Sequence, residues 1–264
     1  MVYGMASDEL LYTVEDGIGL VTFNRPAARN ALTFAMYGRL AEICGGIALG
    51  GPVKALIITG AGEKAFAAGT DISQFRAFKT PQQGIDYEQH ADAVFTAIES
   101  CPVPIIAAIS GACTGGGAGI AACCDMRIAT ADMRFGFPIA RTLGNCLSAS
   151  TLRRLVAVAG QATVGDMIYT SRLIEADEAR RIGLVNEIVP DHAALMARCG
   201  ELARRIKEHA PLTMSVTKSL LRRIRDSGNP IDDTPEIAKI YTSADFKEGM
   251  EAFLGKRKPN WQGK

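Results

Sequence analysis

The sequence predicts an α/β fold with a largely parallel sheet, followed by a region of helices. In residues 1–190, short apolar runs that are typical of strands alternate with helical patterns, at the spacing of β-α-β crossover units. After residue 148 the strand patterns almost vanish. We therefore expect an α/β core over residues 1–190 and a helical C-terminal region over residues 191–264 that forms oligomer contacts.

Local signals place the elements in order. Glu15-Asp16-Gly17 separates two apolar runs, which is typical of a β-hairpin, and Thr33 is a suitable N-cap for the first helix. Residues 75–84 contain proline, glycine and glutamine, and we expect a mobile loop or lid there. The predicted strands lie at 10–14, 18–23, 54–59, 105–109, 126–129, near 135, and at 184–189. The predicted helices lie at 34–47, 85–100, 118–124, 148–159, 163–169, 176–182, 191–208, 211–226, 231–243 and 245–254.

The composition argues against several classes of protein. A net charge of +1 gives no electrostatic basis for binding nucleic acid or an anionic membrane surface. No apolar run approaches the roughly 18 residues of a membrane-spanning helix, and the N-terminus lacks a signal-peptide core. Seven scattered cysteines without a Cys-x-x-Cys pair indicate free thiols, not a disulfide framework or a zinc site. We expect a cytoplasmic protein without a metal.

A glycine triplet follows the most apolar strand. The run Ile105–Ile109 is followed by Gly115-Gly116-Gly117 and then by a helical pattern of small residues over 118–124. Glycines at a strand-to-helix turn allow a ligand to approach the backbone, and the free N–H groups at a helix start favour an oxyanion. Tight packing of the helix on the sheet explains the same triplet, and both interpretations stay open for this motif alone.

A second glycine motif suggests a dinucleotide site, but its context argues against one. Gly60-Ala-Gly62-Glu-Lys-Ala65 follows a strand and matches the pattern G-x-G-x-x-A. A helix should begin within such a motif, whereas here a further glycine follows at Gly69. The acidic residue expected about 20 residues later is also missing. The sequence therefore disfavours a nicotinamide or flavin cofactor.

Six segments in the same order resemble the crotonase (enoyl-CoA hydratase/isomerase) superfamily, and the resemblance extends from Leu10 to Trp261. The segments are Asn24-Arg-Pro-Ala-Ala-Arg-Asn-Ala-Leu32, Ala65-Phe-Ala-Ala-Gly-Thr-Asp-Ile72, Gly111-Ala-Cys-Thr-Gly-Gly-Gly-Ala-Gly119, Cys124-Asp125, Ala176-x-Glu-Ala-x-x-x-Gly-Leu-Val185 and Asp245-x-x-Glu-Gly-Met-Glu-Ala-Phe-x-x-Lys-Arg-Lys-Pro259. The resemblance implies a spiral of ββα units and a C-terminal helical region that forms a homotrimer or a dimer of trimers. It implies an acyl-CoA thioester as the substrate and no separate cofactor.

The resemblance also implies roles for individual residues. The backbone N–H groups of Thr70 and Gly116, which follow Gly69 and Gly115, would hold the thioester oxygen as an enolate forms. The carbonyl of Ala68 would contact adenine. Arg29 and Lys256 would contact the CoA, although, taken alone, these two side chains are better explained as solvated surface charges. Asp71 would fix the oxyanion turn by local pairing or capping.

The expected pair of catalytic glutamates is missing. Hydratases of this family carry them at the positions of Gly119 and Ile139, and neither of these side chains transfers a proton. On this alignment Ser148 or a neighbour replaces the acid that some relatives carry further along. Asn145, Cys146 and Ser148 could hydrogen-bond the substrate or position water.

Three further side chains are candidates for chemistry around that gap. Cys146 is a possible nucleophile, and Arg141 could bind a carboxylate on the acyl group of a decarboxylase substrate. His90, with Asp86 one turn earlier, is expected to be an exposed helix histidine. The sequence predicts an enoyl-CoA hydratase/isomerase-family enzyme with an atypical acid/base set. The alternatives are a decarboxylase or other enolate chemistry, and a catalytically silent CoA-ester binder.

Overall fold

Two β-sheets form the core of the computed structural model, which describes residues 8–227 and 232–264. The strands are β1 Leu10–Glu15, β2 Ile18–Phe23, β3 Ala55–Gly60, β4 Ala65–Ala67, β5 Ile105–Ile109, β6 Ala112–Thr114, β7 Met126–Thr130, β8 Arg134–Gly136, β9 Ile174–Glu175 and β10 Glu187–Val189. The helices are α1 Phe34–Gly46, α2 Pro81–Ser100, α3 Gly116–Cys123, α4 Ile139–Thr142, α5 Ala149–Ala159, α6 Gln161–Tyr169, α7 Ala176–Arg181, α8 His192–Lys207, α9 Pro211–Asp226, α10 Thr234–Thr242 and α11 Ala244–Leu254.

The topology is a repeat of two strands and a helix. The larger sheet has the order β1-β2-β3-β5-β7-β10, and only its β1–β2 hairpin is antiparallel. The smaller sheet has the order β4-β6-β8-β9. The pairs β3–β4, β5–β6 and β7–β8 each contribute one strand to each sheet, and a helix follows each pair. The predicted α/β fold of ββα units is confirmed.

The two faces of the larger sheet pack against different helices. Leu56, Ile58 and Ile105 belong to the main core with α1, α2 and α3, whereas the alternate residues Ile57 and Ile106 pack with α8. This alternation is the period of two that a strand imposes on its side chains. The continuous apolar run at 105–109 is buried because both faces of its strand are covered. The division at residue 190 stays a prediction.

Several predicted elements need correction. The segment 75–84 is helical over most of its length: a 3-10 helix occupies Ile72–Ala77, and α2 begins at Pro81, not at 85. Proline suits a first helical position because its missing N–H would have no acceptor there. The Gln83 side chain accepts hydrogen bonds from the backbone N–H of Lys79 and Thr80, which closes the start of the helix. Thr-Pro-Gln-Gln therefore carried a capping signal.

The strand predicted at 184–189 covers only 187–189. Val185 donates its N–H to Ala179 O near the end of α7, and the Leu184 carbonyl accepts from the buried Arg127 guanidinium. These two residues therefore belong to the turn that ends α7, and the strand begins after them. The short strands β4, β6 and β9 were not predicted. The predicted helix start at 231 lies outside the described residues. None of the described helices is both long and apolar enough to cross a membrane.

A buried ion-pair network joins α2, α5 and α9. The Arg154 guanidinium, 4% exposed, donates to Glu99 Oε2 at 3.0 Å and also pairs with Asp92. Arg225 from α9 donates to the same Glu99 carboxylate at 3.0 Å. Charges removed from water are stable only when they are paired in this way. The network therefore fixes α2, which forms one wall of the site described next.

Candidate active site

Two glycine turns approach each other where the ββα units meet. Gly69 follows β4 with φ +106°, and Gly115 precedes α3 with φ +51°. A Cβ added to Gly115 would lie 3.2 Å from Gly69 Cα. Both positions require glycine because of their positive φ, and Gly115 also because of this close approach. The two segments that the resemblance predicts for an oxyanion site therefore lie side by side.

The backbone N–H groups after these glycines are available to a ligand. Leu32 donates its N–H to Gly69 O, and Asp71 donates its N–H to Leu32 O, both at 2.8 Å. In this parallel bridge the intervening N–H of Thr70 points away from Leu32. Gly116 is the first residue of α3, so its N–H has no acceptor within the helix. Within residues 8–227 and 232–264, neither N–H donates a hydrogen bond.

Three hydrogen-bonded hydroxyl groups lie beside the N–H groups of Thr70 and Gly116. The Thr70 hydroxyl lies 2.9 Å from the Tyr37 hydroxyl and 2.9 Å from the Tyr87 hydroxyl. Burial raises the pKa of both tyrosines, so they stay protonated and can donate. The Thr70 side chain, which the sequence gave no reason to use, therefore connects α1 to α2 beside the glycine turns.

Two neighbouring cavities open from this point. The smaller, of about 200 Å³, is lined by Ala68, Gly69, Thr70, Gly115 and Gly116 among others. The larger, of about 800 Å³, has mainly apolar walls. Five residues line both cavities, and they are Phe75, Tyr87, Glu88, Leu143 and Asn145. A ligand of more than a few carbons therefore has space beyond the glycine turns.

Two of the predicted CoA contacts are neighbours. Ala68 donates its N–H to Arg29 O at 3.0 Å, and the Arg29 side chain is exposed. Asp71 accepts hydrogen bonds from the Ser73 hydroxyl and N–H and pairs with Arg25. These hydrogen bonds, first that from the Ser73 hydroxyl, hold the pKa of Asp71 below its usual range. The carboxylate thus caps the turn that follows Thr70.

Gly119 and Ile139, the two positions where the resemblance leads us to expect glutamates, have different surroundings. A Cβ at Gly119 would lie 2.4 Å from Phe95 Cζ, so no side chain fits there unless Phe95 moves. Ile139 is 9% exposed and lines the smaller cavity. An apolar side chain at 139 and a packed ring beside 119 thus occupy the two positions where the resemblance leads us to expect glutamates.

Ser148, which the alignment suggests as a replacement for the acid, lies at the start of α5, and its catalytic role stays a prediction. Its hydroxyl accepts from Thr151 N at 3.1 Å and lies 3.0 Å from the Thr151 hydroxyl, so Ser148 is the N-cap of α5. Its backbone N–H donates to Glu88 Oε2 at 3.2 Å. Cys146 is exposed and lines the larger cavity but not the smaller one. Asn145 lines both cavities.

The remaining predicted residues lie away from both cavities. Ile139 and Thr142 of α4 face the smaller cavity, which turns Arg141 outward to an exposed position. Lys256 is exposed and lines neither cavity. His90 is half-buried, not exposed, because the Tyr37 ring packs edge-on against it with centroids 6.5 Å apart. It too lines neither cavity.

Sequence reasoning missed Tyr37, Tyr87 and Glu88. Tyr37 lies on the buried face of α1, and the other two lie on the helix that was predicted to begin at 85. The only sequence signal was their place on amphipathic helices. Such a pattern shows that one helix face is buried but not which cavity that face meets.

Comparison with known proteins identifies the family. The profile described as enoyl-CoA hydratase/isomerase matches residues 13–264. The chain belongs to this family. A short-chain-enoyl-CoA hydratase of Clostridium acetobutylicum is 34% identical over 96% of this chain and 97% of its own length. A crotonyl-CoA hydratase of Syntrophomonas wolfei is 33% identical over 98% of this chain and 100% of its own length.

Solved structures agree with the family assignment. An enoyl-CoA hydratase/carnithine racemase from Magnetospirillum magneticum matches this family member with a TM-score of 0.89 at 33% identity, over 98% of this chain and 97% of that chain. An enoyl-CoA hydratase from Bacillus anthracis matches with a TM-score of 0.87 at 28% identity, over 97% of this chain and 100% of that chain. The crotonase-like fold implied by the sequence motifs is confirmed.

Proposed function

We propose that this family member is an acyl-CoA enzyme that stabilises a thioester enolate between the backbone N–H groups of Thr70 and Gly116. The observation that carries the proposal is the pair of unbonded N–H groups on two touching glycine turns, at the wall of one cavity. Removal of one such preorganised donor typically costs about 3 kcal/mol of transition-state stabilisation. The CoA thioester is the substrate in this proposal, and no separate cofactor is required.

The relatives support a 2-enoyl thioester as the substrate class, since two of them carry the names short-chain-enoyl-CoA hydratase and crotonyl-CoA hydratase. The CoA moiety would extend past the Ala68 carbonyl toward Arg29. These two residues are neighbours, since the Ala68 N–H donates to Arg29 O. Lys256 stays a proposed contact from the C-terminal region. The larger apolar cavity favours an acyl group that extends beyond the reacting carbons.

The acid/base set of the proposed enzyme is atypical. Gly119 and Ile139 cannot transfer protons, and the Ser148 hydroxyl caps a helix. Proton transfer by a positioned side chain typically contributes about 100-fold to 10,000-fold in rate, so another group must supply it. Arg141 lies outside both cavities, so the residue suggested for binding a carboxylate in the decarboxylase alternative does not line the proposed site.

We also propose that the protein is a homotrimer or a dimer of trimers. The helices α9, α10 and α11 expose large apolar side chains to solvent in the single chain. The exposed residues are Leu221, Ile224, Ile237, Tyr241, Phe246, Met250 and Leu254. An apolar surface of this kind is typical of protein–protein contacts.

Crotonyl-CoA tests the proposed function. We expect the protein at micromolar concentration to bind crotonyl-CoA and to deplete it, as measured by loss of the enoyl absorbance. Free CoA and butyryl-CoA serve as competitors that share the nucleotide part. A folded oligomer that binds none of the three would contradict an acyl-CoA function. Binding without turnover of any enoyl-CoA would instead indicate the catalytically silent binder.

A further inference from the structure

One carboxyl group lies where the two cavities meet. Glu88 on α2 lines both the smaller cavity, with Thr70 and Gly116, and the larger apolar cavity. Its neighbour Tyr87 is hydrogen-bonded to the Thr70 hydroxyl at 2.9 Å, so this turn of α2 is held against the glycine turns. The Glu88 carboxyl is the acidic group that lines the smaller cavity in the described part of the chain.

The two oxygens of Glu88 have different surroundings. Oε2 accepts a hydrogen bond from the backbone N–H of Ser148 at 3.2 Å, which fixes the side chain against the loop before α5. Oε1 has no hydrogen-bond partner within residues 8–227 and 232–264. One oxygen therefore orients the carboxyl group, and the other is left for a ligand in the cavity.

We propose that Glu88 is the catalytic residue that moves a proton to and from the α-carbon of the bound acyl thioester. The inference rests on the proposed function and names the acid/base group for that same site. In the forward step the carboxylate takes the α-proton, and the electron pair of the broken C–H bond enters the enolate. The enolate oxygen then lies between the N–H groups of Thr70 and Gly116. The reverse step returns the proton, so no other reactant is consumed.

The electrostatic surroundings of Glu88 suit this step. Burial raises its pKa above the usual range, the negative charge of Asp92 adds to the rise, and the Ser148 N–H opposes it. The hydroxyls of Tyr87 and Tyr37 also interact with this carboxyl, and the Cys146 thiol lines the larger cavity with it. A raised pKa makes a carboxylate a stronger base and brings its proton affinity closer to that of a carbon acid's conjugate base.

Asp92 is a weaker candidate for the same role. It lines only the larger cavity and pairs with the buried Arg154 guanidinium. Burial alone would raise the pKa of Asp92, but hydrogen bonds from Ser150 and Arg154 lower it below the usual range. A carboxylate that is held in its ionised form by a buried arginine belongs to the packing of α2 against α5, not to proton transfer.

The test is deuterium exchange at the α-carbon of butyryl-CoA in heavy water, followed by mass spectrometry. Glu88→Gln keeps the side-chain volume and an oxygen that can accept from Ser148 N, but it cannot take a proton. We expect the exchange rate to fall by about 100-fold or more, with the Kd for butyryl-CoA within threefold of wild type. Glu88→Asp should recover part of the rate.

The pH dependence of the exchange rate distinguishes a catalytic role of Glu88 from a purely structural one. The carboxylate form is required, so the exchange rate should decrease as the pH falls through the raised pKa of Glu88. The residual exchange rate of Glu88→Gln should not show this decrease. Asp86→Asn is the matched control, because Asp86 is exposed on the same helix and accepts only from Gln82 in the described residues. Its exchange rate should equal that of wild type.

Two results with the Glu88 variants would overturn the role of Glu88. One is exchange by Glu88→Gln within threefold of wild type, which would leave the proposed function standing. The other is a loss of exchange that occurs together with an equal loss of butyryl-CoA binding and of melting temperature, with Glu88→Asp no better than Glu88→Gln. A wild-type protein that binds butyryl-CoA but exchanges no α-proton would overturn the proposed function as well.

Discussion

Replacing Gly116 with alanine is expected to lower turnover by about 100-fold to 1,000-fold, the usual cost of losing an oxyanion donor. The added Cβ would lie 1.7 Å from the Tyr37 hydroxyl oxygen and 3.0 Å from the Thr70 hydroxyl oxygen. Tyr37 is 1% exposed, so its ring has little space to move away. The start of α3 must shift instead, and the N–H of Gly116 shifts with it. Steady-state kinetics with an enoyl-CoA substrate measures the effect.

Gly38→Ala is the matched control. Gly38 lies next to Tyr37 on α1, and apart from its chain neighbours and the backbone of its own helix, no atom lies within 4 Å of a Cβ added there. Alanine at this helical position should leave turnover unchanged and raise the melting temperature slightly, since it is a better helix former than glycine. The double variant Gly116→Ala, Tyr37→Phe lacks the hydroxyl that makes the shortest contact with the added Cβ. Its melting temperature should therefore be higher than that of Gly116→Ala alone. Wild-type turnover by a folded Gly116→Ala protein would contradict the oxyanion role.

Replacing Arg154 with alanine is expected to lower the free energy of unfolding by about 3 kcal/mol. Among the described residues, the substitution leaves the Glu99 carboxylate, 7% exposed, with only Arg225 as its ionic partner, and it removes a cation that lies 5.8 Å from the centroid of the Phe95 ring. It also frees Asp92 from its buried partner. Urea unfolding at a fixed protein concentration measures the loss, since oligomerisation makes stability depend on concentration.

Arg39→Ala is the control for this substitution. Arg39 pairs with Glu42 on the surface of α1, and the two side chains are 50% and 70% exposed. Solvent screening makes such a pair worth less than about 1 kcal/mol. If Arg154→Ala were as stable as Arg39→Ala, the network of α2, α5 and α9 would not be a source of stability, and the rigid placement of α2 would need another explanation.

The parts of the fold that sequence could predict are those with strong local signals. The run Ile105–Ile109 is apolar at every position because both faces of its strand are buried, and Glu15-Asp16-Gly17 forms the predicted hairpin turn. The strands β4, β6 and β9 have only two or three residues, and their pairing partners lie far away in the chain. No local pattern of such length distinguishes a strand from a loop.

The candidate site also has parts that sequence could predict and parts that it could not. The glycines at 69 and 115 could be assigned to the site because a positive φ and a close backbone approach leave few alternatives to glycine. The role of Glu88 could not be predicted from the sequence, since the position of its side chain depends on how α2 packs against the loop before α5. Ser148 carried two competing signals. It is the first residue of the helix predicted at 148–159, and the structure makes it the N-cap, whereas the alignment suggested a replacement for the catalytic acid.

Exchange of the α-proton of butyryl-CoA in heavy water is the most direct test of the central claim, because it requires the enolate but neither hydration nor a leaving group. The account predicts deuterium at the α-carbon with the wild-type protein and an exchange rate at least about 100-fold lower with Gly116→Ala. A wild-type protein that binds butyryl-CoA and leaves its α-protons unexchanged would contradict enolate stabilisation at Thr70 and Gly116.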